Sequence, residues 1–198
     1  MSTSTLTVPY ITKWSTEQTP LSKVARHRSG RGIAYVDETI GDRDSQGVLW
    51  ARANSAPRVG RPLFGQVHPL RQRRAMRRLL CQVCGEPADR NDDGVLWLLL
   101  DHREDWPGWP EDMFATEPPI CRPCVDLSTR LCPALRRGHV LVRSRNHEIA
   151  GVRGPLYRPN RANVVEDGQM LVPYGDPMIP WTLAHDLARE LHDCSIVD

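Results

Sequence analysis

The chain has 198 residues, of which 40% are apolar and 25% charged, and a formal net charge of +2. That length allows one domain with appendages and a real core, and so small a net charge points to no class of partner. The longest apolar run, Val95 to Leu100, is far too short to span a bilayer as a helix.

The distribution of residues says more than the totals. Seventeen prolines imply short elements joined by ordered loops. Of 26 basic residues only Lys13 and Lys23 are lysines. Such a bias is what a GC-rich genome produces, and an actinobacterial or actinophage source is the expectation. The opening MSTSTLTVPY has neither the basic nor the apolar section of a secretory leader, so a cytoplasmic protein is expected. In a reducing compartment, closely paired cysteines favour a metal over disulfides.

In chain order, residues 1–30 read as an irregular, polar N-terminal arm. Gly32 to Val36 and Val48 to Arg52 read as two strands of a hairpin, and residues 53–68, with Pro57, Gly60, Pro62 and Gly65, as an extended connection. Pro69 to Leu80 is the clearest helix, since proline suits the first helical position. Leu70, Met76, Leu79 and Leu80 give it an apolar side, and Arg71, Arg74 and Arg78 line another.

The cysteine region runs from Cys81 to about Gly138, with a strand at Val95 to Leu100 and a helix over Val125 to Leu135. His139 to Val142 and Glu148 to Val152 suit a further hairpin. Val164, Val165 and Met170 to Val172 suit short strands. Trp181 to His192 reads as a terminal helix on the spacing of Leu183, Leu187 and Leu191. Arg43 to Trp50 (RDSQGVLW) echoes Arg90 to Trp97 (RNDDGVLW), which reads as two similar turns before strands. The expected architecture is α+β: arm, hairpin and connection over 31–68, a metal domain over 69–138, then short strands and a C-terminal helix over 139–198.

Cys81 and Cys84 flank two residues, and Gly85 follows them. Cys121 and Cys124 repeat the spacing. Two thiolates on a tight turn can grip one metal, glycine lets the backbone bend beneath them, and four thiolates complete tetrahedral zinc. A single structural Zn²⁺ held by Cys81, Cys84, Cys121 and Cys124 is therefore expected, with no coordination position open to substrate. Cys132 reads as a core thiol and Cys194 as inert. His139, His147, His185 and His192 have no spacing that assembles a second metal site.

The order of these parts is a knuckle, a strand ending in Asp101-His102, a loop, then a cysteine pair opening a helix, all preceded by an arginine-rich helix. Over about residues 69–137 it resembles the zinc-containing, treble-clef branch of the HNH nuclease family. The resemblance implies a small treble-clef domain with His102 in the place of the general base and Asp101 in that of a metal-binding acid. Two positions depart from the pattern. Thr116 stands where the family has its middle asparagine, and Val125 where it has its last histidine or asparagine. Asp126, one place on, faces another way. A one-metal nuclease needs oxygen or imidazole ligands from both strand and helix, and valine supplies none.

Arg71, Arg73, Arg74, Arg77 and Arg78 are candidates for nucleic-acid contact, because guanidinium groups on a rigid face bind phosphate oxygens. A solvated face, or pairing with the acidic loop REDWPGWPEDMFATEPP, explains the same residues. Trp106 and Trp109 in that loop either anchor a protein partner or pack back onto the domain. The sequence contains no glycine-rich phosphate loop, nucleophile elbow or dinucleotide fingerprint. Three functions follow: a non-catalytic zinc-binding accessory or regulatory protein that contacts DNA, a protein partner or both; a divergent endonuclease using Asp101 and His102; or an adaptor that binds only protein.

Overall fold

The structure, a computed structural model, describes residues 7–161 and 163–197. The first six residues of the expected arm lie outside the described residues. Short extended pieces open the chain: β1 (Thr12–Trp14), β2 (Val24–Arg26), β3 (Ile33–Tyr35) and β4 (Leu49–Trp50). β5 (Pro62–Val67) then leads into α1 (Pro69–Arg78). The cysteine region contributes β6 (Arg90–Asn91), β7 (Gly94–Leu100), β8 (Met113–Ala115) and α2 (Arg122–Leu131). The last third holds β9 (His139–Asn160), β10 (Asn163–Pro173), β11 (Leu183–Ala184) and β12 (Asp186–Val197). The described residues thus form a mixed, strand-rich α+β protein with two α-helices. Neither helix is long and apolar enough to cross a membrane.

The long strand β9 organises the main sheet, in the order β6-β7-β9-β12-β8 with β10 also on β9. Its first part pairs with β7 from His139↔Leu100 to Ser144↔Val95, and its last part with β10 from Gly151↔Pro173 to Asn160↔Asn163. β12 runs along the opposite edge from Leu141 to Arg153, so β7 and β10 share one edge of β9 end to end. β7 is buried on both faces. Val95, Trp97 and Leu99 pack with Val140, Val142 and Leu191 on one side. Leu96 and Leu98 pack with Cys81, Ile120, Cys124 and Val125 on the other. A continuous apolar run suits a strand covered on both sides.

Four expectations need correction. The expected C-terminal helix is a strand, β12. The spacing of Leu183, Leu187 and Leu191 is an even number of residues, so it fits one face of a strand as well as one face of a helix. Pairing with β9, from Asp186↔Arg153 to Val197↔Leu141, overrides the local helical preference. His139 to Val152 is one continuous strand, not a hairpin, because β7, β10 and β12 supply its partners. β3 and β4 do not pair: β3 joins β2, while β4 runs parallel to β11. The N-terminal arm is not irregular throughout, since it holds β1, paired with β5, and β2, paired with β3. The two Arg-to-Trp octets do form similar turns before strands, but β4 and β7 lie in different sheets.

Candidate metal centre

Helix α1 ends at Leu79, which adopts a left-handed conformation (φ 52°) and returns its N–H to Ala75. Two residues later the chain enters the first knuckle. Cys81 N–H donates to Glu86 at 2.7 Å and Gly85 N–H to Cys81 at 2.9 Å. Gly85 has φ 78°, and an added Cβ would sit 2.9 Å from the Tyr10 ring, so the position excludes a side chain on two counts. The N-terminal segment covers the knuckle through Tyr10 N–H to Val83 and Ile11 N–H to Gln82.

The second pair sits at the start of α2. Cys121 is the N-cap residue and Pro123 lies in the first turn, where its missing N–H costs nothing. Gln82 N–H donates to Pro119, Asp89 N–H to Ile120, and Ile120 N–H to Leu96, so backbone bonds fix one knuckle against the other and both against β7.

The four sulfurs lie within 4.8 Å of one another. Cys84 Sγ is 3.7 Å from Cys121 Sγ, close to the ~3.8 Å edge of a tetrahedron built on zinc–sulfur bonds of about 2.3 Å. All six cysteines are free. Burial alone would raise the Cys81 thiol, but the N–H groups of Cys84, Cys121 and Val83 aimed at it bring it below its usual value. Burial, and then the neighbouring Cys121 and Cys81 sulfurs, push Cys124 up. A cation among the four removes that repulsion, and the N-terminus of α2 adds partial positive charge beside Cys121 and Cys124. The donor set fits a single thiophilic metal ion. Cys132 and Cys194 stand outside the cluster.

Asp101 and His102 follow β7 on a half-exposed turn. Arg103 grips both Asp101 oxygens, at 2.9 and 2.6 Å, and holds that carboxyl at about 2. His102 Nδ1 is 2.6 Å from Asp105. Among the described residues neither joins a group of three potential ligands. Val125 is buried in the apolar cluster behind the cysteines. Thr116 contributes its carbonyl to a hydrogen bond from Gln72. The two tryptophans divide: Trp109 is buried in the core and Trp106 is 41% exposed.

The arginines of α1 divide as well. Arg71, expected on an outward face, is buried. It makes a bidentate pair with Glu17 at 2.6 and 2.7 Å and donates to the Thr12 carbonyl. Arg73 is half-buried with its guanidinium 4.3 Å above the Trp50 ring, and desolvation, then Arg77, lower it to about 10. Arg74, Arg77 and Arg78 are exposed and have no hydrogen bond or ion pair among the described residues. With Leu70 and Arg73 they line a shallow groove. The acidic loop does not neutralise them. Asp105 faces His102, Asp112 meets His192 at 2.9 Å, and Glu111 accepts the N–H groups of Asp193 and Cys194. Glu111, Asp112 and His192 therefore fasten the loop to β12.

Two polar side chains that sequence patterns did not single out hold α1 in place. Gln72 accepts the Leu187 N–H and donates to the Leu187 and Thr116 carbonyls. It thus acts as a neighbouring strand for β12 where its register shifts after Ala188. Arg189 donates to the Met76 carbonyl at 2.9 and 2.6 Å and also to His147. Only a buried glutamine and a buried arginine mark these contacts, and burial is not a property of the sequence alone. No protein-family model, curated protein or solved structure matches the chain.

Proposed function

We propose that this protein is a non-catalytic, zinc-stabilised accessory or regulatory module that holds nucleic acid by its phosphate backbone. The exposed, acid-free row Arg74, Arg77 and Arg78 is the observation that carries it. Arg74 and Arg78 lie four residues apart on one helix, as do Arg73 and Arg77. Like charges at that spacing destabilise a helix by about 0.2–0.5 kcal/mol per pair. Among the described residues no carboxylate offsets that repulsion by pairing with Arg74, Arg77 or Arg78, and phosphate oxygens would.

Zinc fits the part of anchor. α1 enters the first knuckle two residues after its end, so a filled site fixes the helix against β7 and α2. Knuckle, hairpin and helix-borne cysteine pair follow one another as in a treble clef of HNH type. At the positions that a nuclease of that type would use, Asp101 is held by Arg103 and His102 by Asp105, and Val125 offers no donor atom and packs in the core. Exposed Trp106 favours a protein contact as a second reading.

The test is binding of a labelled duplex by the zinc-loaded protein as salt is varied. The Arg74→Ala/Arg77→Ala/Arg78→Ala variant is expected to lower the slope of log K against log salt by about three. Failure of the intact protein to bind duplex or single strand would overturn the proposal. Nicking of plasmid with Mg²⁺ that depends on His102 would replace it with the nuclease.

A further inference from the structure

The turn between β2 and β3 reads Arg26-His27-Arg28-Ser29-Gly30-Arg31-Gly32, with no acid in it. It is built tightly. His27 N–H donates to Gly32 at 2.9 Å and Gly30 N–H to His27 at 2.8 Å. The Ser29 hydroxyl lies 2.8 Å from His27 Nδ1 and accepts the Arg31 N–H. Arg26 donates to the Gly30 carbonyl across the turn. Gly32 has φ 95°, and an added Cβ would fall 2.3 Å from the Pro180 carbonyl oxygen, so the turn is seated directly on the segment before β11. Arg28 and Arg31 are exposed, and their guanidinium groups have no partner among the described residues. Glu38, the acid beside the turn, is already held by two bonds from Arg43.

The turn is also tied to the arginine helix. Ile179, next to Pro180, packs in one cluster with Trp50 and Met76. Trp50 carries the Arg73 guanidinium on its ring, and Met76 belongs to α1. Two acid-free basic elements, distant in sequence, are thus mounted on one hydrophobic unit. The backbone of neither needs ordering before it meets a polyanion, which removes part of the cost of binding.

We infer that Arg28 and Arg31 form a second phosphate-contact site, so that one nucleic-acid strand or duplex touches both the turn and α1. This rests on the phosphate-binding role given above to α1. A free nucleotide would need only one of the two elements, so the ligand is a polymer.

The experiment uses the full, zinc-loaded chain and a fluorescein-labelled 20-base-pair duplex, with a single strand of equal length beside it. Arg28→Ala/Arg31→Ala is expected to lower the salt slope by about two, and the effect should add to that of the α1 variant. Arg28→Lys/Arg31→Lys should keep the slope, which separates charge from folding, and zinc content and thermal melting should match the parent. An unchanged slope in the alanine variant, with the α1 variant still lowering it, would overturn the second site and leave the first. Absence of binding by the parent would overturn both. Loss of binding to phosphatidylserine vesicles, with the duplex slope intact, would assign the turn to a lipid surface instead and overturn the inference.

Discussion

Helix α1 is fastened at both ends, by two very different polar centres. At its start Glu17, Arg71 and buried His68 join it to the N-terminal segment through an ion pair and backbone bonds. Beyond its end four cysteine sulfurs gather around the place of one cation. The first centre is made only of groups the chain carries, and it answers to protons. The second could take up an outside ion, and would then answer to chelators and oxidants. A helix held so firmly can keep a row of unpaired guanidinium groups on its outer side without fraying.

The sharpest way to break the comparison is at the metal end. Cys124→Ser is expected to abolish stoichiometric metal binding and to unfold the region around both knuckles, with a loss of several kcal/mol or more. Metal analysis and a thermal melt check it, and a normal melt without metal would remove the metal from the fold.

Breaking the other end costs less. Glu17→Gln leaves Arg71 buried without its counter-charge, a change of about 3–5 kcal/mol, read by denaturant unfolding. Glu17→Gln/Arg71→Met should recover part of it, because the burial is then of uncharged groups.

Acid sharpens the contrast. Burial would raise the Glu17 carboxyl, but Arg71 and the N–H groups of Trp14 and Ala56 outweigh it and hold the pKa at about 2 against an ordinary 4.5. A depressed carboxyl stabilises the fold fully above its unfolded value, and loses that contribution as pH falls from about 4.5 through 2. The contribution is ~3 kcal/mol. Thiolates also lose a bound metal in acid, so the quantity to measure is the difference between parent and Glu17→Gln across that range. The gap should close toward pH 2, and a constant gap would contradict the assignment.

The smallest effect is expected on the outer face. Alanine at Arg74, Arg77 and Arg78 should change stability by no more than ~1 kcal/mol, and toward greater stability, since two like-charge pairs disappear. A large loss would mean that these arginines hold the fold together.

What the sequence made legible follows from range. The cysteine pairs, α1 and β7 carry their signals within a few residues: a ligand spacing, a proline start, an unbroken apolar run. Glu17 and Arg71 stand 54 positions apart, and Gln72 and Leu187 stand 115 apart. No local pattern announces such partners. Arg71 and Arg74 look alike on a helical wheel. They differ because the segment around β1 covers one of them. The end of the chain misled for another reason: leucines four apart satisfy two periodicities, and β9 decided between them.

The contact from Arg189 to the carbonyl of Met76 has one more consequence. Met76 lies in the last turn of α1, where carbonyls lack helical partners and the helix macrodipole is negative. A cation from β12 neutralises that pole from within the core. The guanidinium groups of Arg77 and Arg78 are then not absorbed by their own helix, and their field extends into solvent. An approaching polyanion would be drawn to the carboxyl-terminal half of α1, beside the knuckle that anchors it.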